Sequence, residues 1–151
     1  MTPIEIIHHQ TKSKSSESYT LRLPPDNEYI TELLKFCKLK GIKAAWFNAL
    51  GGAKRVEVGR FNFKAMKYEP HTYEEDLEIT SIAGNVGLQD GKLITHTHAQ
   101  FARADLSVIG GHLSSLIVQG TCEIYLTTFP TEFQRTRGTV GLKLLTPPDA
   151  K

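Results

Sequence analysis

From Tyr19 onward, the pattern of apolar and polar positions is strand-like for most of the chain, with one stretch of helical period. Tyr19, Leu21 and Leu23 share one face of a short strand. Pro24 and Pro25 stop it. Residues 26–40 then adopt a period near 3.6, with Ile30, Leu33, Leu34 and Cys37, and Phe36 beside them, on one apolar stripe. Asp26 is placed to cap the first turn, and Glu28 complements the positive end of the helix dipole. Lys35, Lys38 and Lys40 gather where positive charge is favoured, and Gly41 is a C-terminal stop. The pattern predicts a helix over 26–40, with Cys37 as a small core residue and the lysines as a solvated, dipole-matched end.

The text after Gly41 is strand-like. Residues 42–50 are apolar on both faces apart from Lys43 and Asn48, which predicts a central strand covered on both sides, with Trp46 in the core and Gly51 and Gly52 ending it. Residues 55–63 and 67–73 pair as a hairpin or meander. Residues 77–83 follow, with Leu77, Ile79 and Ser81 on one face. Asp90 and Gly91 are a turn signal that sets Leu88 and Leu93 on adjacent strands, and residues 93–99 form the next strand. Residues 113–118 and 122–128 make a strand pair around Gly120, and 139–145 the last strand before Pro147 and Pro148. Upstream, residues 4–7 read as a short strand or packing arm and 11–18 as a polar loop. One helix and about seven strands predict an α+β domain, an antiparallel sheet with one main helix packed on it. The expected organisation is an arm and loop over 1–17, a domain over 18–146 and a tail over 147–151.

Bulk properties narrow the function. A chain of 151 residues that is 40% hydrophobic suits one domain with a real core. A formal net charge of +2 gives no strong electrostatic case for nucleic acid. Cys37 and Cys122 match no zinc or redox spacing and read as free thiols. The start MTPIEIIHHQ lacks the pattern of a signal peptide, and no apolar run is long enough for a membrane span, so a reducing cytoplasm is the expected compartment.

The chemistry concentrates in THTHAQFARADLSVIGGHL, residues 95–113. His96 and His98, two apart on a strand, point to one face. His112 follows Gly110 and Gly111, a pair that permits a sharp bend or close packing. Three imidazoles so gathered can hold a divalent transition metal and leave a coordination position open. Zinc is the first choice, with iron, nickel or copper as alternatives. The plainer reading is of hydrogen-bonded histidines in a half-buried sheet. Asp105 and Glu123 are candidate outer partners that fix a tautomer or take a proton from bound water; alternatively Asp105 is a turn residue and Glu123 faces solvent. His8, His9 and His71 have no ligand spacing and read as surface residues. No nucleophile elbow, P-loop or dinucleotide fingerprint is present, and the catalytic residues, if any, stay unassigned.

The His-x-His pair followed by GGHL and then by TCEIYLT resembles the Plants and Prokaryotes Conserved domain, also called DUF296 or the PD1-like DNA-binding family. SYTLRL with its Pro–Asp turn, GIKAAWFNALGGA (41–53), DLEITSIAGNVGL (76–88) and RTRGTVGLKLL (135–145) extend the likeness over residues 18–145. The resemblance implies a curved antiparallel sheet with a packed helix, a homotrimer and a DNA-associated regulatory role with DNA or regulatory proteins as partners. Many apolar strands under one helix, and apolar surface over 106–109 and 113–118, agree with self-assembly. In plant members the DNA contact belongs to an AT-hook with an Arg-Gly-Arg-Pro core. This chain has none, and Arg135-Thr136-Arg137-Gly138 is similar only superficially. Lys12, Lys14, Arg135 and Arg137 are the nucleic-acid candidates that remain. The expected function is a trimeric metal-binding domain protein with a DNA-associated role; the alternative is a metal-dependent hydrolase or lyase using the three histidines on a small molecule.

Overall fold

The computed structural model describes residues 3–13, 16–138 and 142–146. Its elements in chain order are β1 (Glu5–Ser13), β2 (Ser16–Leu23), α1 (Tyr29–Lys40), β3 (Ala45–Asn62), β4 (Lys67–Tyr73), β5 (Leu77–Gln89), β6 (Lys92–Ala102), β7 (Val108–Thr128), β8 (Gln134–Arg137) and β9 (Lys143–Thr146). All belong to one sheet, ordered β1-β2-β7-β3-β5-β8-β9, with β4 on β3 and β6 on both β5 and β7. Every pairing is antiparallel except one bridge, Leu88 to Gln134, between β5 and β8. The α+β reading holds, with more strands than the seven expected, because 11–13 and 16–18 continue a ladder rather than forming a loop.

The inner face follows the alternation. Leu21, Leu23, Phe47, Ile82, Ile124 and Leu126 are buried in one core with Leu33, Phe36 and Cys37 of α1. Cys37 and Cys122 are free and buried, and burial pushes both thiols up to about 12, so they stay protonated core groups.

Four differences from the sequence reading have physical causes. The helix begins at Tyr29, and its cap is Glu28, whose carboxylate accepts from the N–H groups of Ile30 and Thr31. Asp26 cannot cap because its N–H donates to the Val118 carbonyl and Asn27 accepts from the Val118 N–H, tying that turn to β7. Asp26 instead pairs with Lys54. Secondly, β3 runs on through Gly51 and Gly52, where its register slips against β5 and β7. Its outer face is bare: Trp46 is 47% and Leu50 56% exposed, so Trp46 is not a core residue. Thirdly, a register shift between Ile79 and Ser81 puts Ile82, not Ser81, into the core. Fourthly, β7 is one continuous strand through Gly120, whose left-handed φ of 68° absorbs the change of direction. Residues 139–141 and 147–151 lie outside the described residues. The last strand starts at Lys143.

Beyond capping α1, Glu28 also accepts the N–H of Leu116 on β7 at 3.1 Å. One carboxylate thus fixes the helix start to the sheet. Glu28→Ala should destabilise the protein by about 1–2 kcal/mol, the range of a lost cap, measured as a lower urea midpoint at unchanged slope. An unchanged midpoint would show that water replaces the carboxylate without loss.

Candidate metal centre

β5 and β6 form a hairpin in which His96 stands opposite Asn85 and His98 opposite Ala83. Thr97 between them is buried on the other face, so both histidines share one face as period two requires. On its other edge β6 pairs with β7, and His98 lies directly opposite His112. The two glycines act by close packing, not by a bend. A Cβ on Gly110 would sit 2.4 Å from the Ala99 carbonyl oxygen, and one on Gly111, at φ 154°, would sit 2.5 Å from that of Gly59. Only glycine lets β7 wedge between β6 and β3.

The result is a triangle of imidazoles. Ring centroids are 5.2 Å apart for His96 and His98, 5.5 Å for His96 and His112, and 5.7 Å for His98 and His112. One nitrogen from each ring can be chosen so that all three lie within 4.8 Å of one another. In a tetrahedral zinc site nitrogens about 2.1 Å from the ion stand about 3.4 Å apart, so the three rings would have to draw together to share one ion. Two further observations fit a metal. Nδ1 of His112 is buried without a hydrogen-bond partner among the described residues. His96 is pushed down to about 4 by burial, then by Arg135 and the other two histidines, and burial likewise lowers His112. Neutral imidazole is the ligating form.

Three neighbours of the cluster were not legible in the sequence. Tyr68 of β4 lays its ring on His112, with centroids 4.6 Å apart. Arg135 is only 7% exposed; its Nη2 donates to Asn85 Oδ1 at 2.8 Å and its Nη1 to the Lys143 carbonyl at 3.1 Å. Its burial takes it off any outer nucleic-acid surface. The period of two in Arg135-Thr136-Arg137 puts both arginines on one face of β8, and only Arg137 is exposed, so no local pattern separates them. These residues border a cavity of about 740 Å³ whose polar wall includes His96, His112, Tyr68, Asn85 and Arg135. His98 opens instead onto a second cavity of about 480 Å³, beside Gln100 and Val108.

The remaining candidates do not join the cluster. Asp105 is exposed and accepts from the N–H and hydroxyl of Ser107, which makes it a turn residue. Glu123 is exposed eleven residues beyond His112 on β7, beside Asn48 and Tyr125. His71 is exposed on β4. The side chains of His8, His9 and Lys12, and all of Lys14, lie outside the described residues.

The family model for the Plants and Prokaryotes Conserved (PCC) domain matches residues 10–130. Among solved structures, a plant- and prokaryote-conserved protein from Pyrococcus horikoshii superposes with a TM-score of 0.82 at 30% identity, covering 86% of this chain and 91% of that one. A metal-containing protein from Archaeoglobus fulgidus gives 0.82 at 28% identity, over 97% of this chain and 100% of that one. A candidate DNA-binding protein from Bacteroides thetaiotaomicron gives 0.83 at 26% identity, over 94% and 98%. No curated protein matches the chain.

The low proton affinity of His96 has a consequence for stability. A histidine in the unfolded chain takes up its proton near pH 6.5, whereas His96 in the fold resists until about 4. Between those values the unfolded state binds more protons, so stability must fall as pH falls through that window. The thermal midpoint of metal-free protein should drop between pH 6.5 and 4, and His96→Gln should flatten the slope. An identical pH profile in the variant would mean that the native ring protonates normally.

Proposed function

The chain belongs to the Plants and Prokaryotes Conserved domain family, and we propose that it is a trimeric, metal-binding member with a DNA-associated regulatory role. The observation that carries the metal reading is the convergence of His96, His98 and His112, with the orphaned Nδ1 of His112 among them. Imidazole nitrogens suit zinc first among divalent transition metals. The metal-containing relative from Archaeoglobus fulgidus supports the assignment. Three ligands leave an open position, at which a bound metal supplies Lewis acidity.

Assembly is supported by the bare outer face of the sheet. Trp46, Leu50 and Tyr125 on the paired strands β3 and β7, with Leu106 and Val108 near the histidines, are exposed large apolar side chains. Such a patch on one small domain marks an interface. The DNA-associated role is supported by the Bacteroides relative. Direct contact is expected to be weak, because eight lysines and arginines of the described residues are already paired with carboxylates. Arg137 remains exposed as a phosphate contact. No helix among the described residues is long and apolar enough to cross a membrane, which agrees with a cytoplasmic location. A second reading, a metal-dependent hydrolase or lyase, is favoured by the cavity of about 740 Å³ against His96 and His112.

Elemental analysis of untagged protein should find about one metal per chain, as one site requires. His98→Ala should abolish loading, since His98 is exposed and its loss leaves two imidazoles in an intact fold, while His71→Ala should load normally. At free metal a hundredfold above Kd, loading should stabilise the fold by about 2.7 kcal/mol. Metal retained by His98→Ala, or absent after reconstitution, would leave the histidines as structural residues. Assembly and DNA contact can be read together by size-exclusion chromatography with light scattering, with and without a duplex. We expect the mass of a trimer, with duplex co-eluting at about 50 mM salt and released by about 200 mM. A monomer at micromolar concentration would reject the assembly, and duplex retained at the higher salt would show base-specific contacts instead.

A further inference from the structure

Arg135 poses a physical problem that a metal does not solve. It is a buried residue, only 7% exposed, and it takes part in none of the ion pairs of the described residues. Both of its hydrogen bonds go to neutral oxygens, on Asn85 and Lys143. Its Nε is buried with no partner among the described residues. Two of five N–H groups are thus used. No aspartate or glutamate among the described residues lines the adjoining cavity. A buried cation without a counter-ion is strongly unfavourable unless an anion joins it. The guanidinium cannot shed its charge, and its planar fork matches a carboxylate.

We propose that this cavity is a carboxylate site: Arg135 receives the carboxylate of a small organic acid, and an oxygen on the acid's second carbon reaches the metal at the histidines. Only the second anchor rests on the metal reading above. Asn85 links the two ends, since its Oδ1 holds Arg135 at 2.8 Å and its backbone stands opposite His96. Phe61, Ile94, Leu142 and Leu144 give the cavity an apolar wall that suits an alkyl body. Its volume of about 740 Å³ is that of a small-molecule pocket. The charge favours a monoanion over phosphate. Of the other cations at the wall, Lys143 already reaches Asp90 at 3.2 Å, which leaves Lys67 as the further positive group, and it lies exposed.

Calorimetric titration with 2-hydroxy-3-methylbutanoate, its amide and inorganic phosphate tests the site. Zinc-loaded protein should bind the acid at least about tenfold more tightly than the amide or phosphate, since the charge-assisted fork is lost in one and ill-matched in the other. Arg135→Gln should bring the acid down to the level of the amide with zinc content unchanged, and Arg135→Lys should recover part of the loss. Metal-free wild type should still prefer the acid to the amide, more weakly. Equal binding of acid and amide, phosphate binding as tight as the acid, or an Arg135→Gln variant that binds like wild type would each overturn the proposal. The contrast of acid and amide on wild type stands even if Arg135→Gln fails to fold. Failure of zinc to load, with the preference intact in metal-free protein, would reject the metal reading and keep the carboxylate site.

Discussion

Gly59, Gly110 and Gly111 mark a row where four strands crowd closer than any Cβ permits. A side chain on Gly59 would meet the Glu69 carbonyl of β4 at 2.8 Å; on Gly111, that of Gly59; on Gly110, that of Ala99 in β6. The order β4-β3-β7-β6 is therefore pinned at this end of the sheet by backbone contact. The pairings β3–β5, β5–β6, β6–β7 and β7–β3 also form a closed circuit, so the sheet curls upon itself there. Ordinary neighbouring strands are about 4.8 Å apart and diverge by twist. Here the closure brings a residue of β7 against a residue pair of β6, and His112 meets His98 as a cross-strand neighbour. The triangle of imidazoles follows from this closure, because no local turn brings His112 to His96 and His98.

That dependence explains what the sequence could and could not disclose. His96 and His98 were legible because period two alone puts them on one face. His112 was legible as a partner because two glycines precede it, although bend and close approach cannot be told apart without the strand on the other side. The helix stripe was legible, and Leu33 and Cys37 are buried as the period demanded. Glu28 is legible as a partner of the helix dipole but not as the cap, because the competing claim on Asp26 comes from Val118, more than ninety residues away in sequence. Trp46 lies outside the core because apolar residues on both faces of a strand imply two covering layers, and the described residues supply only one of them. Arg135 was hidden for a related reason. Its surroundings are Asn85, His96 and Lys143, contributed by three strands that only tertiary pairing assembles.

The unsatisfied polar atoms separate packing from function. Tyr29 is wholly buried, its hydroxyl has no hydrogen-bond partner among the described residues, and burial raises it well above its usual range, so it stays neutral. Its ring packs edge-on against Phe47 with centroids 6.3 Å apart, inside the core and away from the cavity. A neutral orphan of this kind is a modest cost of filling space. His112 Nδ1 and Arg135 Nε differ in kind. Each belongs to a group able to bind strongly, and both residues border one cavity. A fold that leaves two such groups unsatisfied at one cavity, while eight other cations of the described residues are paired with carboxylates, has placed its polar cost where a ligand can offset it.

Charge balance joins the metal and the acid. Arg135 helps to keep His96 unprotonated, so its positive field prepares a neutral ligand set as well as an anion site. Three neutral imidazoles bring no negative charge to a divalent ion, and the cavity wall brings no carboxylate among the described residues. Metal and guanidinium together would then concentrate three positive charges at a half-buried site. In a medium of low effective dielectric that excess draws in a counter-ion far more strongly than either charge alone. A molecule carrying a carboxylate and an adjacent oxygen is suited to meet both, with Asn85, hydrogen-bonded to Arg135 and opposite His96, joining the two ends.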